Sequence, residues 1–151
     1  METIKQFELK KIQTDFPKIK ITKSEDSNKF IRQFYSDDLG IYESFFILLV
    51  NRASYTIGYA KISQGGIAGT IVDIKLVSKY AIESLCSGVI VAHNHPSGNT
   101  NPSNEDKLIT NKIKQALNIF DIQLMDHIIL TEDSYYSFAD EGFYLVVELT
   151  V

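Results

Sequence analysis

Apolar positions along this chain switch between two rhythms. "IYESFFILLVN" (41–51) is almost wholly apolar from Phe45 to Val50, the pattern of a strand buried on both faces. "RAS" turns the chain into "YTIGYAKIS" (55–63), the expected partner of a hairpin. Gln64-Gly65-Gly66 reads as a loop. Asp73 is a plausible helix cap, and Leu76, Val77, Tyr80, Ala81 and Leu85 then keep a helical spacing that Gly88 is expected to end. "VIVAH" (89–93) predicts a short core strand. After a polar loop from Asn94 to Pro102, Ser103 and Asp106 make a capping-box-like start to a helix reaching Leu117, with Leu108, Ile109, Ile113 and Leu117 facing inward. "DIQLMDHIILT", "SYYSF" and "FYLVVEL" predict three more strands. Upstream, residues 1–16 are amphipathic and charged without an assignable element. "KIKIT" (18–22) alternates like a strand, and Ser24 is placed to cap a helix from Glu25 to Tyr35, with Phe30, Ile31 and Phe34 on one side and "DDLG" breaking it. Strands outnumber helices and helices interrupt them, which predicts an α/β or α+β sandwich with one central sheet.

Length and composition narrow this. The 151 residues suffice for one domain with a proper core. A net charge of −4, from 19 acids and 15 bases, gives no general attraction to nucleic acid or acidic membranes. The lysines at 10, 11, 18, 20 and 23 read as a solvated face. The single cysteine, Cys86, excludes a disulfide framework within the chain and a Cys-rich zinc site, and reads as a small buried hydrophobe. "METIKQFELKKIQ" lacks the apolar core of a signal peptide, and the run from Phe45 to Val50 is far too short to span a bilayer. The expectation is a cytoplasmic protein with no membrane contact.

Two of the three histidines stand one residue apart, at His93 and His95, at the end of a predicted core strand. On a strand, residues i and i+2 point to one side, and Pro96 keeps His95 extended. Both imidazoles can therefore aim at one point. Asp106, in the first turn of the next helix, adds a carboxylate. Two histidines and one acid leave a fourth position open, the catalytic rather than the structural pattern for zinc. H-x-H alone is weak evidence. H-x-H at a strand end, followed by Pro96-Ser97-Gly98 and a Ser-x-x-Asp helix start, is much more specific.

The run His93-Asn94-His95-Pro96-Ser97-Gly98, then Pro102-Ser103 and Asp106, resembles the JAMM (MPN+) metalloprotease motif: an upstream Glu, His-x-His, seven residues, Ser, two residues, Asp. "HNHPSG", "PSNED", "MDHIIL", "SFADEG" and Gly69-Thr70 are most similar to the RadC-type JAB domain within that superfamily. The resemblance implies a JAB/MPN-like (cytidine-deaminase-like) α/β fold, a central mixed β-sheet flanked by helices, over residues 37–151. Residues 1–36 are then an N-terminal arm and helix, packed on or preceding the core. It implies a short stand-alone form without the usual N-terminal helix-hairpin-helix region. One departure is "VDIKLV", which lacks the family's Arg before the first helix and offers Lys75 as a possible substitute.

The resemblance further implies zinc held by His93, His95 and Asp106, and metal-assisted hydrolysis of amide bonds. Glu43 matches the upstream Glu, taking the water's proton and returning it to the leaving amine. Glu83 is its rival, on the polar face of a predicted helix. Ser103 would donate to the tetrahedral oxyanion, beside its plainer role as helix cap. His127 reads as a packing histidine, with orientation of a metal ligand as its sharper role. Asp126 reads as a backbone-bonding residue near the metal loop, Ser97 and Gly98 as turn-formers, Tyr135 and Tyr136 as strand packing. Zinc deaminases need His-x-Glu and Pro-Cys-x-x-Cys, which this chain lacks. The expected partner is a peptide or protein substrate. The alternative is a DNA-repair-associated accessory protein, though strong nucleic-acid binding is not expected.

Overall fold

The computed structural model describes residues 1–65 and 71–143. The expected strand in "FYLVVEL", apart from Phe143, and the Gly69-Thr70 match lie outside them. Among the described residues, three helices, α1 (Ser24–Arg32), α2 (Ile74–Glu83) and α3 (Asn104–Asn118), flank five strands, β1 (Ser44–Val50), β2 (Thr56–Gln64), β3 (Gly88–Asn94), β4 (Gln123–Leu130) and β5 (Tyr135–Ser137). The sheet order is β2-β1-β3-β4-β5. β1 runs antiparallel to both β2 and β3, β3 and β4 are parallel, and β5 is antiparallel to β4. The sheet is thus mixed and the fold α/β, as the resemblance implies. No described helix is long and apolar enough to cross a membrane.

β1 and β3 occupy the centre, and every residue of both is buried. Their alternating side chains build two cores. Phe45, Ile47, Leu49, Val89 and Val91 join Val77 and Ala81 of α2 and Ile113 and Leu117 of α3. On the other side, Leu48, Val50, Ile90 and Ala92 join Phe30 and Ile31 of α1. Phe16, Phe34 and Tyr59 seal that second core with edge-on and stacked rings.

The parallel β3–β4 ladder carries a bulge. Val89 pairs with Leu124, but Ile90 pairs with Asp126, so Met125 is an extra residue. A bulge shifts the side-chain phase by one. Leu124 accordingly packs in the first core and Met125 against the second, while His127, three positions after Leu124, again faces the first-core side, beside Phe45 and Thr110.

Several local expectations are corrected. α1 begins at Ser24 with Lys23 as its cap position, because the Asp26 carboxylate reaches back to the backbone N–H groups of Thr22 and Lys23. It ends at Arg32, short of Tyr35. "KIKIT" forms only an isolated bridge, Lys20 with Tyr55, at the β2 edge. α2 stops at Glu83, where Leu85, not Gly88, takes the left-handed conformation (φ 54°), and Gly88 instead opens β3. Leu85 is largely exposed, and so is Leu108 of α3. Asp73 does cap α2, accepting from the Lys75 N–H, and Cys86 is buried.

Candidate metal centre

Three elements deliver the site. β3 carries His93 on its first-core face. The pairing continues one residue beyond the strand, because the His95 N–H donates to the Leu130 carbonyl at 2.8 Å. His93 and His95 therefore stay in strand register, and their Nε2 atoms lie 3.0 Å apart. Pro96 and Gly98 (φ 86°) then turn the chain back, with the Gly98 N–H donating to the His95 carbonyl. The returning loop brings the Asn99 carbonyl 2.6 Å from His95 Nδ1. A carbonyl only accepts, so His95 carries a proton on Nδ1 and turns Nε2 inward.

α3 supplies the carboxylate. Asp106, Thr110, Ile113 and Leu117 form one helical stripe against the sheet. The Ser103 hydroxyl accepts from the Asp106 N–H at 3.0 Å, and the Ser103 N–H donates to Asp106 Oδ2 at 2.8 Å. This capping box fixes the side chain at the start of the helix. Asp106 Oδ1 lies 3.2 Å from His93 Nε2, and Oδ2 lies 3.1 Å from His95 Nε2.

Glu43 comes from the turn entering β1. Its Oε1 is 3.9 Å from His93 Nε2, and its ligand atom and those of His93 and His95 all lie within 4.8 Å of one another. Asn94, on the opposite side of β3 from His93, ties this turn down. It accepts from the Ser44 N–H at 2.7 Å and donates to the carbonyls of Leu39 (2.6 Å) and Tyr42 (2.7 Å). Glu83 is exposed on α2, and Lys75 is exposed as well.

The electrostatics are those of a cation site. Burial pushes the Asp106 carboxyl up, but hydrogen bonds to His93 and His95 outweigh it and hold the group far below the usual carboxylate range. Burial pulls His95 down, while Asp106 and the Asn99 carbonyl more than reverse that. Burial raises Glu43, against the opposing charges of His93 and His95. Imidazole nitrogens facing carboxylate oxygens at these distances need a positive charge between them, from a proton or a metal ion. Tetrahedral zinc with bonds of about 2.0–2.1 Å spaces its ligand atoms by roughly 3.3 Å. The observed 3.0 Å between the two imidazole nitrogens and 3.1–3.2 Å from them to the Asp106 oxygens are slightly shorter than that spacing. Glu43 stands further from His93 than Asp106 does.

A cavity of about 300 Å³ opens beside the histidines. Glu43, His93, Glu105, Asp106 and Lys112 are its polar lining, and Phe45, Val72 and Ile109 are among its apolar lining. Leu108, expected in the core, lines this cavity instead.

Two further residues bear on the site. His127 is fully buried, stacked on Phe138 (4.6 Å between centroids), with Nε2 2.7 Å from His93 Nδ1. Thr110 of α3 lies 2.6 Å from His127 Nδ1. His127 is therefore both packed in the core and bonded to His93. Thr110 was missed, and its helical register with Asp106 was the available signal. Asp126 points elsewhere: it accepts from the Ser137 hydroxyl and from the N–H groups of His127 and Ala139, closing the "SFADEG" turn rather than the metal loop.

The family model described as RadC-like JAB domain matches residues 21–143. A UPF0758 protein of Flavobacterium johnsoniae is 46% identical over 125 residues, 83% of this chain and 54% of its own length. A UPF0758 protein of Porphyromonas gingivalis is 39% identical over 101 residues, 66% of this chain and 44% of its own. The UPF0758 protein YfjY of Escherichia coli (strain K12) is 41% identical over 100 residues, 66% of this chain and 62% of its own. The chain spans about half the length of the first two. The chain belongs to the RadC-like JAB domain family.

Proposed function

We propose that this protein is a zinc-dependent hydrolase of the JAMM type that cleaves peptide or isopeptide bonds. The observation that carries the reading is the convergence of His93 Nε2, His95 Nε2 and both Asp106 oxygens on one point, with Glu43 standing beside it. His93, His95 and Asp106 would hold zinc, a fit to imidazole and carboxylate donors with no thiolate at hand. Bound there, zinc supplies Lewis acidity and a water acidic enough to attack a carbonyl near neutral pH.

The remaining steps belong to the chain itself. Glu43 accepts the attacking water's proton and hands it to the leaving nitrogen, and its raised pKa suits both halves of that exchange. Ser103 Oγ spends a lone pair on the helix cap, which leaves its own O–H free to donate to the carbonyl oxygen as charge develops. Phe45, Val72 and Ile109 give the adjoining cavity a wall for an apolar part of the substrate and limit water around the reacting carbonyl. A role confined to nucleic-acid binding leaves these converging donors without a purpose. The test is elemental analysis with zinc titration, followed by a screen of amide and isopeptide substrates on the loaded protein. The expected result is one zinc per chain and hydrolysis that a chelator abolishes. Protein that takes up no zinc, or a loaded protein inert toward every amide and isopeptide class, contradicts the proposal.

A further inference from the structure

We infer that the cavity beside the histidines is an ordered substrate subsite. It selects a large apolar side chain next to the scissile amide and a carboxylate two or three residues further along the substrate chain. This rests on the hydrolase reading above and names the substrate class of that site.

One face of α3 sets the order. Glu105, Leu108, Ile109 and Lys112 recur at intervals of three and four, so they share a face, and all four line the cavity. The acid comes first, beside Asp106 in the chain. The aliphatic pair follows, and the cation comes last. Phe45 belongs to the first core and lies parallel to the His93 ring, while Val72 and Ile109 pack against that core. The fold therefore holds these three apolar walls in place. Leu108 and Ile71 differ from them. They line the cavity as well, but Leu108 is 62% exposed and Ile71 89%, and neither belongs to either core. Their apolar surface leaves water only when an apolar group enters between them and the fixed walls.

Size and charge narrow the occupant. A volume of about 300 Å³ is at the low end for binding pockets, roughly 300–1,000 Å³. It suits one or two side chains of an extended chain. Lys112 is exposed and makes no ion pair among the described residues. It stands six positions after Asp106, about 9 Å along the helix axis. That is two or three residues of extended substrate at roughly 3.3–3.6 Å each. At the metal end, Glu43, Glu105 and Asp106 repel a substrate acid placed beside the scissile bond. An acid beyond the apolar residue meets Lys112 instead. The charges thus fix the direction in which the substrate lies along α3.

The experiment uses the full-length, zinc-loaded protein and capped glycine hexapeptides, titrated by NMR. One peptide carries no other residue and one carries a single Leu. Two more carry Leu and Glu two positions apart, in either order. The same spectra report any cleavage. Leu should tighten binding about 10–100-fold over the all-glycine peptide. Glu in one of the two orders should add about 2–5-fold, lost at high salt. Leu108→Ala, which keeps a good helix former, should reduce the Leu preference. Lys112→Glu should turn the Glu preference into a penalty. Both side chains are exposed, so zinc content and thermal midpoint should match the parent. Leu and all-glycine peptides that bind alike, or not at all, overturn the subsite. So do preferences that survive both substitutions. Binding in the expected order without cleavage of any amide would sink the hydrolase reading and leave the subsite standing. Cleavage without the order would do the reverse.

Discussion

The two faces of the sheet are built from the same strands and differ in what they bury. On the α1 face, Ile90 and Ala92 of β3 meet Phe30, Ile31 and a cluster of aromatic rings. On the α2–α3 face, Val89 and Val91 lead to His93 and then to Asp106, Thr110 and His127. The α1 face stays apolar along β3 until Asn94, whose amide bonds backbone groups, and the other gives up apolar volume at its end for ionisable side chains. Buried polar groups are costly unless bonded. Here His93, Asp106, Thr110 and His127 each have a hydrogen-bond partner, which is why this end of the core holds together.

That contrast makes separable predictions. The largest effect belongs to Glu43→Gln. Gln is nearly isosteric but carries no proton in exchange, so turnover of a verified substrate should fall about 10²–10⁴-fold. The thermal midpoint should hold or rise slightly, because a half-buried carboxylate is lost. An unchanged rate would move the base elsewhere, with Glu83 next to test. On the other face, Ile31→Ala should cost about 2–5 kcal/mol of stability by denaturant unfolding. The rate per folded, zinc-loaded molecule should stay at the parent value. A fall in that rate would mean the two faces are coupled.

Asn94→Ala probes the one residue that bridges the comparison, since it sits opposite His93 and holds the Glu43 turn. Three hydrogen bonds to backbone groups are lost, worth about 2–4 kcal/mol together. Activity should fall further than folding does, read as turnover per folded molecule. The smallest effect is Ser103→Ala, which removes a helix cap worth about 1 kcal/mol. A rate loss beyond that fraction would show the hydroxyl acting on the substrate, and a rate tracking stability alone would leave it a cap.

The sequence reveals most where chemistry is local. His93 and His95 share a strand face by simple alternation, and Asp106 shares a capping box with Ser103, so three convergent donors are readable from spacing. Glu43 is less so: nothing but the motif marks it, because its approach depends on the turn that Asn94 ties down. The side of the sheet that His127 faces is hidden for a geometric reason. Uninterrupted alternation from Leu124 would send its side chain to the α1 face, and the bulge at Met125 reverses this. The start of α1 was misplaced by one residue because Asp26, rather than Ser24, satisfies the backbone there. Leu108 was assigned inward from helical spacing, but the stripe that meets the sheet runs through Thr110 and Ile113, leaving Leu108 to the cavity.

The most direct measurement is zinc stoichiometry and affinity in the parent protein, Asp106→Asn and Glu43→Gln side by side. The two carboxylates both stand near His93, at 3.2 and 3.9 Å. The expected result is one zinc per chain in the parent and in Glu43→Gln with equal affinity, and affinity reduced more than about 100-fold in Asp106→Asn, beyond the loss typical of an outer partner. Zinc lost from Glu43→Gln and kept by Asp106→Asn would make Glu43 the ligand and contradict the assignment of the site.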